Sequence, residues 1–306
     1  MNVALLGCGT WGRNIARVLN ELGSLHAICD PKADTAAFDC KQYTDERQVF
    51  DDLYVDAVAI ATPTREHLSH AILALEAGKH VFIEKPIAAS WDETLLLATR
   101  ARETNLTVMV GHLLLYHPGF RAMKDAMDAV GPVRHMNSLR TASIRATLED
   151  RGVVWDMAPH DVALAIWLTG EVPPRPYKVE ARGHKHAGSA LVDWGDWSLS
   201  CDYSWVTPVK RREFLISGAH GSVYLNDAAG GCPVFTHTAS PGGEATILPI
   251  EAGEPLTLEM REFLRCCHTG DTPLTGIDHA CYVMEIVREI ESGLHAVQGR
   301  RQRPAA

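Results

Sequence analysis

Three polar side chains in this sequence have the types and surroundings that chemistry on a hydroxyl group requires. Lys85 follows Glu84 and a short apolar run, which predicts a buried strand that ends at the lysine. Asp156 and His160 are four residues apart in a largely apolar segment, so a helix would place both on one face. A carboxylate beside an imidazole fixes the tautomer of the ring and raises its basicity, and a cation stabilises a developing alkoxide. The set therefore fits the general base, orienting carboxylate and oxygen-binding cation of an alcohol oxidation; a turn lysine, a capping aspartate and a core histidine are the structural alternatives.

A glycine-rich turn near the start of the chain is the next feature. It consists of Gly7, Gly9 and Gly12, with Thr10 and Trp11 between the last two glycines. The turn lies between a short apolar strand and a segment with helical spacing of apolar residues. There the first glycine permits a tight turn, the second lets the backbone approach a pyrophosphate, and the third lets helix and strand pack closely. The first N–H groups of the helix face the phosphates, so the pattern predicts dinucleotide binding rather than a plain glycine turn.

Asp30 indicates which dinucleotide binds. It ends the second predicted strand, at 25–29, where an acidic residue would bind the ribose 2′-hydroxyl. A carboxylate there repels a 2′-phosphate, so the sequence predicts NAD rather than NADP as the cofactor. Lys32 lies close enough to weaken this preference, and the alternative is that Asp30 only begins the turn at Pro31.

The first third of the chain alternates between predicted strands and helices. After the second strand come a strand at 56–61 that ends in Thr62-Pro63, a helix that begins near His67 and ends at Gly78, and the strand at 81–83. A helix that begins with a capping box at 90–93 (SWDE) and a strand at 107–112 follow. Such alternation predicts a parallel, doubly wound sheet. Ligands bind at the carboxyl edge of an open α/β sheet, which is where Lys85 would stand.

The rest of the chain is predicted to form a second, α+β domain. Its elements are the apolar helix with Asp156 and His160, an alternating strand at 196–206, a hairpin of 213–217 and 222–225, and closing helices at 256–268 and 277–294. These predict a large, mostly antiparallel, open-faced sheet with helices on one face. The predicted division is an NAD-binding Rossmann domain at 1–117 and a substrate-binding and oligomerisation domain at 118–306.

Composition excludes several classes of protein. The chain has 306 residues, 46% of them hydrophobic, and a formal net charge of −9, which argues against a nucleic-acid partner. It contains no apolar run long enough to span a membrane. The first residues enter a predicted strand directly, so we expect no secretory leader. None of its eight cysteines forms a C-x-x-C pair, so no metal site is predicted. We expect a cytoplasmic protein with reduced thiols.

Together these motifs resemble the glucose-fructose oxidoreductase, inositol dehydrogenase and rhizopine-catabolism family of nicotinamide oxidoreductases. The matching stretches are 7–12 (GCGTWG), 56–63 (DAVAIATP), His67, 77–86 (AGKHVFIEKP) and 110–112 (VGH). The resemblance implies that Lys85 contacts both cofactor and substrate and that Thr62-Pro63 lies near the nicotinamide, with His67 and Glu84 on the cofactor side. It assigns the family's Asp-x-x-x-His pair to Asp156 and His160, and it implies a homodimer or homotetramer formed through the second sheet.

The stretch 111–118 (GHLLLYHP) points to a branch of that family. It differs from the inositol dehydrogenases and looks more like the branch that acts on nucleotide-linked amino sugars. His112 and Tyr116 then become candidate substrate contacts, with core packing as the alternative. Arg211 is a candidate phosphate contact, with a solvated turn as the alternative.

The resemblance leads to one expected activity and two alternatives. The expected activity is oxidation of UDP-N-acetylglucosamine to its 3-keto form with NAD. The alternatives are an NADP(H)-dependent ketosugar reductase or polyol dehydrogenase of the same family, and a regulatory protein that senses a nicotinamide cofactor.

Overall fold

A computed structural model describes residues 1–143, 152–170, 177–237 and 245–301. Two compact units divide the chain. Unit 1 comprises Met1–Leu113 and Glu254–Met284, and unit 2 comprises Leu114–Gly253 and Glu285–Ala306. Among the described residues, no helix is both long enough and apolar enough to cross a membrane.

The elements of both units follow in chain order. The strands are β1 (Val3–Leu6), β2 (Leu25–Cys29), β3 (Lys41–Tyr43), β4 (Ala57–Ile60), β5 (His80–Glu84), β6 (Val108–Gly111), β7 (Val133–Ser143), β8 (Lys178–His184), β9 (Ala187–Asp193), β10 (Ser198–Ser204), β11 (Val206–Gly218), β12 (Gly221–Asn226), β13 (Val234–His237) and β14 (Thr246–Ile247). The α-helices are α1 (Gly12–Glu21), α2 (Glu46–Asp51), α3 (Thr64–Glu76), α4 (Trp91–Arg102), α5 (Pro118–Asp125), α6 (Met127–Val130), α7 (Val153–Thr169), α8 (Pro255–Thr269) and α9 (Ile277–Arg301). A 3-10 helix covers Leu113–Tyr116.

Unit 1 contains a six-stranded sheet in the order β3-β2-β1-β4-β5-β6, and every recorded strand pair in it is parallel. This confirms the predicted doubly wound sheet. The strands β1, β4 and β6 are buried along their whole length, as parallel strands covered on both faces are. Their carboxyl ends therefore meet at one edge, together with the residues that follow β5.

The helix boundaries of unit 1 follow local sequence chemistry. Gly78 adopts φ 72° just after α3, as the sequence predicted for a residue that ends a helix. Ser90 caps α4 by accepting a hydrogen bond from the N–H of Glu93 at 3.2 Å. The Glu93 carboxylate accepts from the N–H of Ala89 at 2.7 Å rather than from Ser90, so the capping box is displaced by one residue.

Unit 2 contains an eight-stranded sheet in the order β14-β13-β12-β11-β7-β10-β9-β8. Of the pairs recorded among the described strands, β7–β10 is parallel and the others are antiparallel. Leu199, Cys201 and Tyr203 of β10 are buried, whereas Asp202 between them is exposed, which confirms the predicted alternation. The predicted, mostly antiparallel sheet is therefore present.

The predicted two-domain division differs from the two units in two respects, the first being that the first segment of unit 1 ends at Leu113 rather than at residue 117. The segment Glu254–Met284 belongs to unit 1, although the sequence placed it in the second domain. Contacts from α8 explain the difference: Phe263 packs edge-on against Phe82 of β5, and Glu254 pairs with Arg17 of α1.

Candidate functional site

The glycine-rich turn of unit 1 has the geometry that its sequence requires. Gly7 adopts φ 86°, and a Cβ there would lie 2.8 Å from the backbone of Ala61 and Thr62. A Cβ on Gly12 would lie 2.1 Å from the carbonyl oxygen of Gly7. In contrast, a Cβ on Gly9 would meet no atom within 4 Å, so packing does not dictate glycine at that position. The first and third glycines thus form the turn, and the second leaves open space above it.

Asp30 is fixed by the backbone at the end of β2. One carboxylate oxygen accepts from the N–H of Cys8 at 2.7 Å, and the other accepts from the N–H groups of Lys32 at 2.8 Å and Ala33 at 2.9 Å. Burial acts to raise the pKa of Asp30, but these three N–H groups outweigh it, and the net pKa is lowered. Both predicted roles are compatible with this arrangement: Asp30 shapes its turn, and it keeps a negative charge at the half-exposed end of the strand.

His67 joins two turns at the carboxyl edge of the sheet. Its Nε2 lies 2.8 Å from the carbonyl oxygen of Thr62, and its Nδ1 lies 3.0 Å from the carbonyl oxygen of Pro86. The ring is 1% exposed, and burial lowers its pKa. Because the ring is enclosed, it is not placed to contact a cofactor directly. His67 instead holds the Thr62-Pro63 turn, where Thr62 is half-buried and Pro63 exposed, against the turn that contains Lys85.

Glu84 connects the lysine turn with the glycine turn. The indole Nε1 of Trp11 donates a hydrogen bond to one oxygen of Glu84. The backbone N–H of Lys85 donates to the other oxygen at 3.2 Å. A Cβ on Gly111 of β6 would lie 3.0 Å from the same carboxylate, so glycine there leaves room for Glu84. Lys85 itself is half-buried and stands directly after β5.

His112 lies beside Lys85 and is enclosed. Its ring is 2% exposed and packs edge-on against His279, with centroids 5.3 Å apart. Burial, then His279, then Lys85 lower its pKa well below the usual range. Neither ring nitrogen has a hydrogen-bond partner among the described residues. His112 is therefore a neutral imidazole next to the lysine turn.

In unit 2, α7 presents Asp156 and His160 together. Both are half-buried, and every other residue between 153 and 166 is buried. The indole Nε1 of Trp205 donates to the Asp156 carboxylate at 3.3 Å. Sequence reasoning did not find Trp205, because its place at the end of an alternating strand indicates burial but not a partner. The helix thus opens to its surroundings at the two residues that the spacing singled out.

A buried ion pair fixes α7 on the sheet of unit 2. Asp161 follows His160 and is 0% exposed, and its carboxylate lies 2.5 Å from Nε of Arg140 on β7. Burial raises the pKa of Asp161, whereas Arg140, Ser138 and Tyr203 act to lower it. Since Asp161 points into the sheet, the preceding His160 is turned away from it. Sequence reasoning did not assign this role to Asp161 or Arg140.

Two predicted substrate contacts are placed elsewhere. Tyr116 is 0% exposed, because the 3-10 helix at Leu113–Tyr116 turns its ring into the core, with the Arg121 guanidinium 5.5 Å from the ring centroid. Arg211 pairs with Glu213 at 2.7 Å on the face of β11 opposite to Arg212. Arg212 is paired in register with Arg140 and shares its face, which is the face toward α7. The structure therefore does not bring Arg211 together with Asp156 and His160, and the core alternative describes Tyr116.

Comparison with known proteins identifies the first part of the chain. Residues 1–112 match the family model described as "Oxidoreductase family, NAD-binding Rossmann fold", named after glucose-fructose oxidoreductase, inositol dehydrogenase and the rhizopine-catabolism protein. The first 112 residues are thus similar to that oxidoreductase family. The matched segment ends at His112, so it contains the glycine turn, Asp30, the Thr62-Pro63 turn and Lys85.

The curated relatives of this chain differ in the substrates that they are named for. UDP-N-acetylglucosamine 3-dehydrogenase of Acidithiobacillus ferrooxidans is 30% identical over 178 residues, which are 56% of this chain and 56% of the relative. A dTDP-3,4-didehydro-2,6-dideoxy-alpha-D-glucose 3-reductase of Streptomyces violaceoruber is 31% identical over 64% of this chain and 62% of the relative. The scyllo-inositol 2-dehydrogenase (NAD(+)) of Bacillus subtilis is 26% identical over 90% of this chain and 89% of its own length. The matches to the first two relatives thus span little more than half of each.

Solved structures share the fold over nearly the whole chain. The Acidithiobacillus ferrooxidans UDP-N-acetylglucosamine 3-dehydrogenase superposes with a TM-score of 0.88 at 22% identity, over 97% of this chain and 98% of that one. A 3-ketoreductase from Actinomadura kijaniata, solved with TDP-benzene and NADP, gives a TM-score of 0.81 at 20% identity, over 96% and 98% of the two chains. At these identities the comparison establishes the α/β fold of both sheets.

The residues of unit 1 fit the nicotinamide dinucleotide that the oxidoreductase family is named for. The space at Gly9 is open, and no side chain among the described residues caps the start of α1. The N–H groups of Arg13 and Asn14 donate to the carbonyl oxygens of Gly9 and Trp11, so a phosphate would meet the turn ahead of them. Asp30 offers a charged acceptor at the neighbouring strand end, where a ribose would lie. Among the described residues, no group of three or more His, Cys, Asp or Glu side chains is arranged to hold a metal ion.

Proposed function

We propose that this protein is an NAD-dependent dehydrogenase that oxidises a hydroxyl of a nucleotide-linked amino sugar, with UDP-N-acetylglucosamine and its 3-keto form as the first candidate pair. The named activity of the Acidithiobacillus ferrooxidans relative, 30% identical over 56% of each chain, supports this choice of substrate. The charge and placement of Asp30 support NAD over NADP.

In this proposal each polar residue has one task. His160 accepts the proton of the sugar hydroxyl at a ring nitrogen, and Asp156, held by Trp205, stabilises the imidazolium that forms. The Lys85 ammonium binds a substrate oxygen and stabilises the negative charge that develops on it. Gly9 and the first turn of α1 bind the pyrophosphate, and Asp30 binds the ribose. Bound NAD supplies the hydride acceptor.

The observation that carries the proposal is the exposure pattern of α7. An otherwise buried helix opens between residues 153 and 166 only at Asp156 and His160, the carboxylate–imidazole pair that a proton acceptor needs. A helix that served packing alone would not need two partly exposed ionisable side chains four positions apart in a buried stretch. The alternative of a cofactor-sensing regulatory protein offers no use for this pair.

The direct test is the appearance of reduced nicotinamide when the purified chain receives NAD and UDP-N-acetylglucosamine. We expect Lys85→Ala and His160→Asn each to lower kcat/KM by about 10²-fold to 10⁴-fold. Lys178→Ala and His184→Asn are matched controls, because both side chains are exposed on β8. Absence of reduced cofactor with every UDP-hexosamine would reject the substrate class, and unchanged kcat/KM in both site variants would reject the assigned roles.

A ketosugar reductase that uses NADPH is the second candidate. Lys32 favours it, because this cation lies two residues from Asp30 and could attract a 2′-phosphate. The Streptomyces violaceoruber relative, 31% identical over 64% of this chain, is named as a 3-reductase. Separate titrations of NAD and NADP distinguish the candidates, since the dehydrogenase proposal requires the tighter binding to be that of NAD.

We also propose that this protein forms a homo-oligomer through the exposed face of the unit 2 sheet. We propose in addition that it works in the cytoplasm. Leu191 and Tyr224 are each 37% exposed on the face away from α7, which leaves apolar surface available to a second copy. All eight cysteines are free thiols, as a reducing compartment would keep them. Sedimentation velocity tests the assembly, and a monomer at micromolar concentration would contradict it.

A further inference from the structure

Glu259 of α8 is a carboxyl group in an unusual place. Its residue is 0% exposed, and neither of its oxygens has a hydrogen-bond partner among the described residues. Burial of an ionised, unpartnered carboxylate is strongly unfavourable, so such a group takes up a proton instead. The proposed reaction gives Glu259 no part.

Contacts along α8 place Glu259 beside Glu84. Phe263 packs against Phe82, with ring centroids 5.7 Å apart. Glu84 is two residues from Phe82 on the same face of β5, and Glu259 is four residues from Phe263 on the same face of α8. Each step is about 6 to 7 Å along its element. The two carboxyl groups therefore come opposite each other when the helix runs antiparallel to the strand.

Further contacts establish that antiparallel direction. Cys267, beyond Phe263 on α8, lies against Thr107, which directly precedes β6 at the amino edge of the sheet. Glu254, at the other end of α8, pairs with Arg17 of α1. The helix thus approaches the carboxyl edge with its first turns, and Glu259 faces the end of β5.

The charges around the pair favour one proton and one negative charge. Burial, and then Glu84, raise the pKa of Glu259 well above its usual range. Burial also raises the pKa of Glu84 to about 7, although the Trp11 indole and Lys85 act to lower it. Lys85 is the cation that acts on Glu84, and Glu84 is the charged group that acts on Glu259. Ionisation is therefore easier at Glu84, which has a donor and a cation.

We propose that Glu84 and Glu259 form a buried proton-binding pair, in which Glu259 keeps a proton and Glu84 carries the single negative charge. The charge lies between the indole of Trp11 in the glycine turn and the lysine turn. Its consequence for the cofactor rests on the proposed function, because it assumes that these two turns bind NAD. Because Glu259 is protonated, the pair carries one negative charge rather than two.

Infrared spectroscopy of the whole chain with isotope-labelled glutamate tests the proton directly. At about pH 8 Glu84 is mostly ionised, so the carbonyl band of a protonated glutamic acid should come from Glu259. We expect that band in the wild type and in Glu262→Gln, and its loss in Glu259→Gln. A further acid band should appear at about pH 6 and be lost in Glu84→Gln. Absence of any protonated glutamic acid in the wild type at about pH 8 would overturn the proposal.

Proton linkage to unfolding is the second measurement. The pKa of Glu259 is raised in the folded chain. The contribution of Glu259 to stability is therefore fully present below the pKa that this residue has in the unfolded chain, and it is lost as the pH rises toward the pKa in the folded chain. Between about pH 5 and 7, the unfolding equilibrium constant of the wild type should rise by up to about tenfold more per pH unit than that of Glu259→Gln.

Glu262→Gln is the matched control, since this glutamate lies on the same helix. Its hydrogen bond to Arg265 lowers its pKa, so its titration falls below that pH window, and the variant should follow the wild type. Equal pH dependence of unfolding in Glu259→Gln and the wild type would overturn the proposal. If Glu259→Gln does not fold, the infrared band of the wild type decides alone. Neither measurement uses NAD or a sugar, so failure of the proposed enzyme activity would be recognised separately.

Discussion

At the scale of the residue, Asp30 shows a carboxylate that the backbone holds without removing its charge. Three N–H groups outweigh the effect of burial and lower its pKa, so the charge persists at neutral pH. We expect Asp30→Asn to weaken NAD binding and to strengthen NADP binding, because the amide no longer repels a 2′-phosphate. The ratio of the two dissociation constants should change by about tenfold to hundredfold, or about 1.4 to 2.8 kcal/mol. Separate fluorescence titrations with NAD and NADP measure the ratio.

Asp34→Asn provides the control for this substitution. Asp34 is a nearby carboxylate that accepts one backbone N–H, that of Ala36 at 3.1 Å, so its loss changes charge without changing the end of β2. The control should keep the preference of the wild type. An Asp30→Asn variant that still preferred NAD by the original ratio would show that Asp30 serves its turn alone.

Single residues also mark the limit of sequence reasoning. The types and spacing of Asp156 and His160 are sufficient to select them, because a helix has one period and brings positions four apart together. The orientation of Arg211 could not be derived in the same way, since one residue of register on a strand changes the face. Tyr116 was equally ambiguous, because an apolar run with an aromatic ring fits both a core and a binding surface.

At the scale of the element, the three glycines of the first turn should respond differently to alanine. A methyl group on Gly12 would meet the Gly7 carbonyl at 2.1 Å, so Gly12→Ala should destabilise unit 1 by about 3 kcal/mol or more. A methyl group on Gly9 meets nothing within 4 Å, so Gly9→Ala should leave the free energy of unfolding within about 0.5 kcal/mol of the wild type. It should nevertheless weaken NAD binding by at least about tenfold, because the methyl group occupies the open space.

Denaturant unfolding and NAD titration of both variants test this contrast. A destabilised Gly9→Ala would mean that the second glycine is required by the fold, and tight NAD binding by Gly9→Ala would remove the phosphate role from the turn. The same two measurements on Gly12→Ala show whether lost binding follows lost structure.

The ion pair beneath α7 leads to a prediction for unit 2. Asp161→Asn leaves the Arg140 guanidinium buried without its anion, so we expect the unfolding free energy to fall by about 3 to 5 kcal/mol. Asp202→Asn is the control, because Asp202 is exposed on β10 and binds only the Ser189 hydroxyl among the recorded contacts. Circular dichroism during denaturant unfolding measures both. Equal stability of the two variants would show that α7 is held by apolar packing alone.

Elements with strong periodicity were predictable, whereas short ones were not. The alternation along β10 and the caps at Gly78 and Ser90 are local features, so the sequence alone revealed them. The strand β3 has three residues and the helix α2 has six, too few for either period to be recognised. Trp205 and Arg140 act through partners far away in sequence, which no local pattern encodes.

At the scale of the whole molecule, the main feature that the sequence did not predict is that α8 packs in unit 1. Sequence order suggested two consecutive domains, because neighbouring elements usually pack together. The amphipathic pattern of α8 shows that one face is buried but does not show which surface covers it. The contact between Phe82 and Phe263 decides this, and it also brings Glu259 to the end of β5.

This arrangement predicts how NAD should stabilise the chain. A ligand that binds only the folded form raises the free energy of every opening reaction that disrupts its site. At a hundred times the dissociation constant the increase is about 2.7 kcal/mol, which lowers the exchange rate about a hundredfold. Because α8 packs on β5 and α1, its amides should gain protection from NAD equal to that of β5 and greater than that of β10 in unit 2. Hydrogen exchange followed by mass spectrometry measures this, and Gly9→Ala with the same NAD is the control, in which the protection should fall by about tenfold or more. Exchange of α8 that followed β10 instead would mean that this helix unfolds with unit 2, and the connection from Glu259 to the cofactor turns would then have no structural basis.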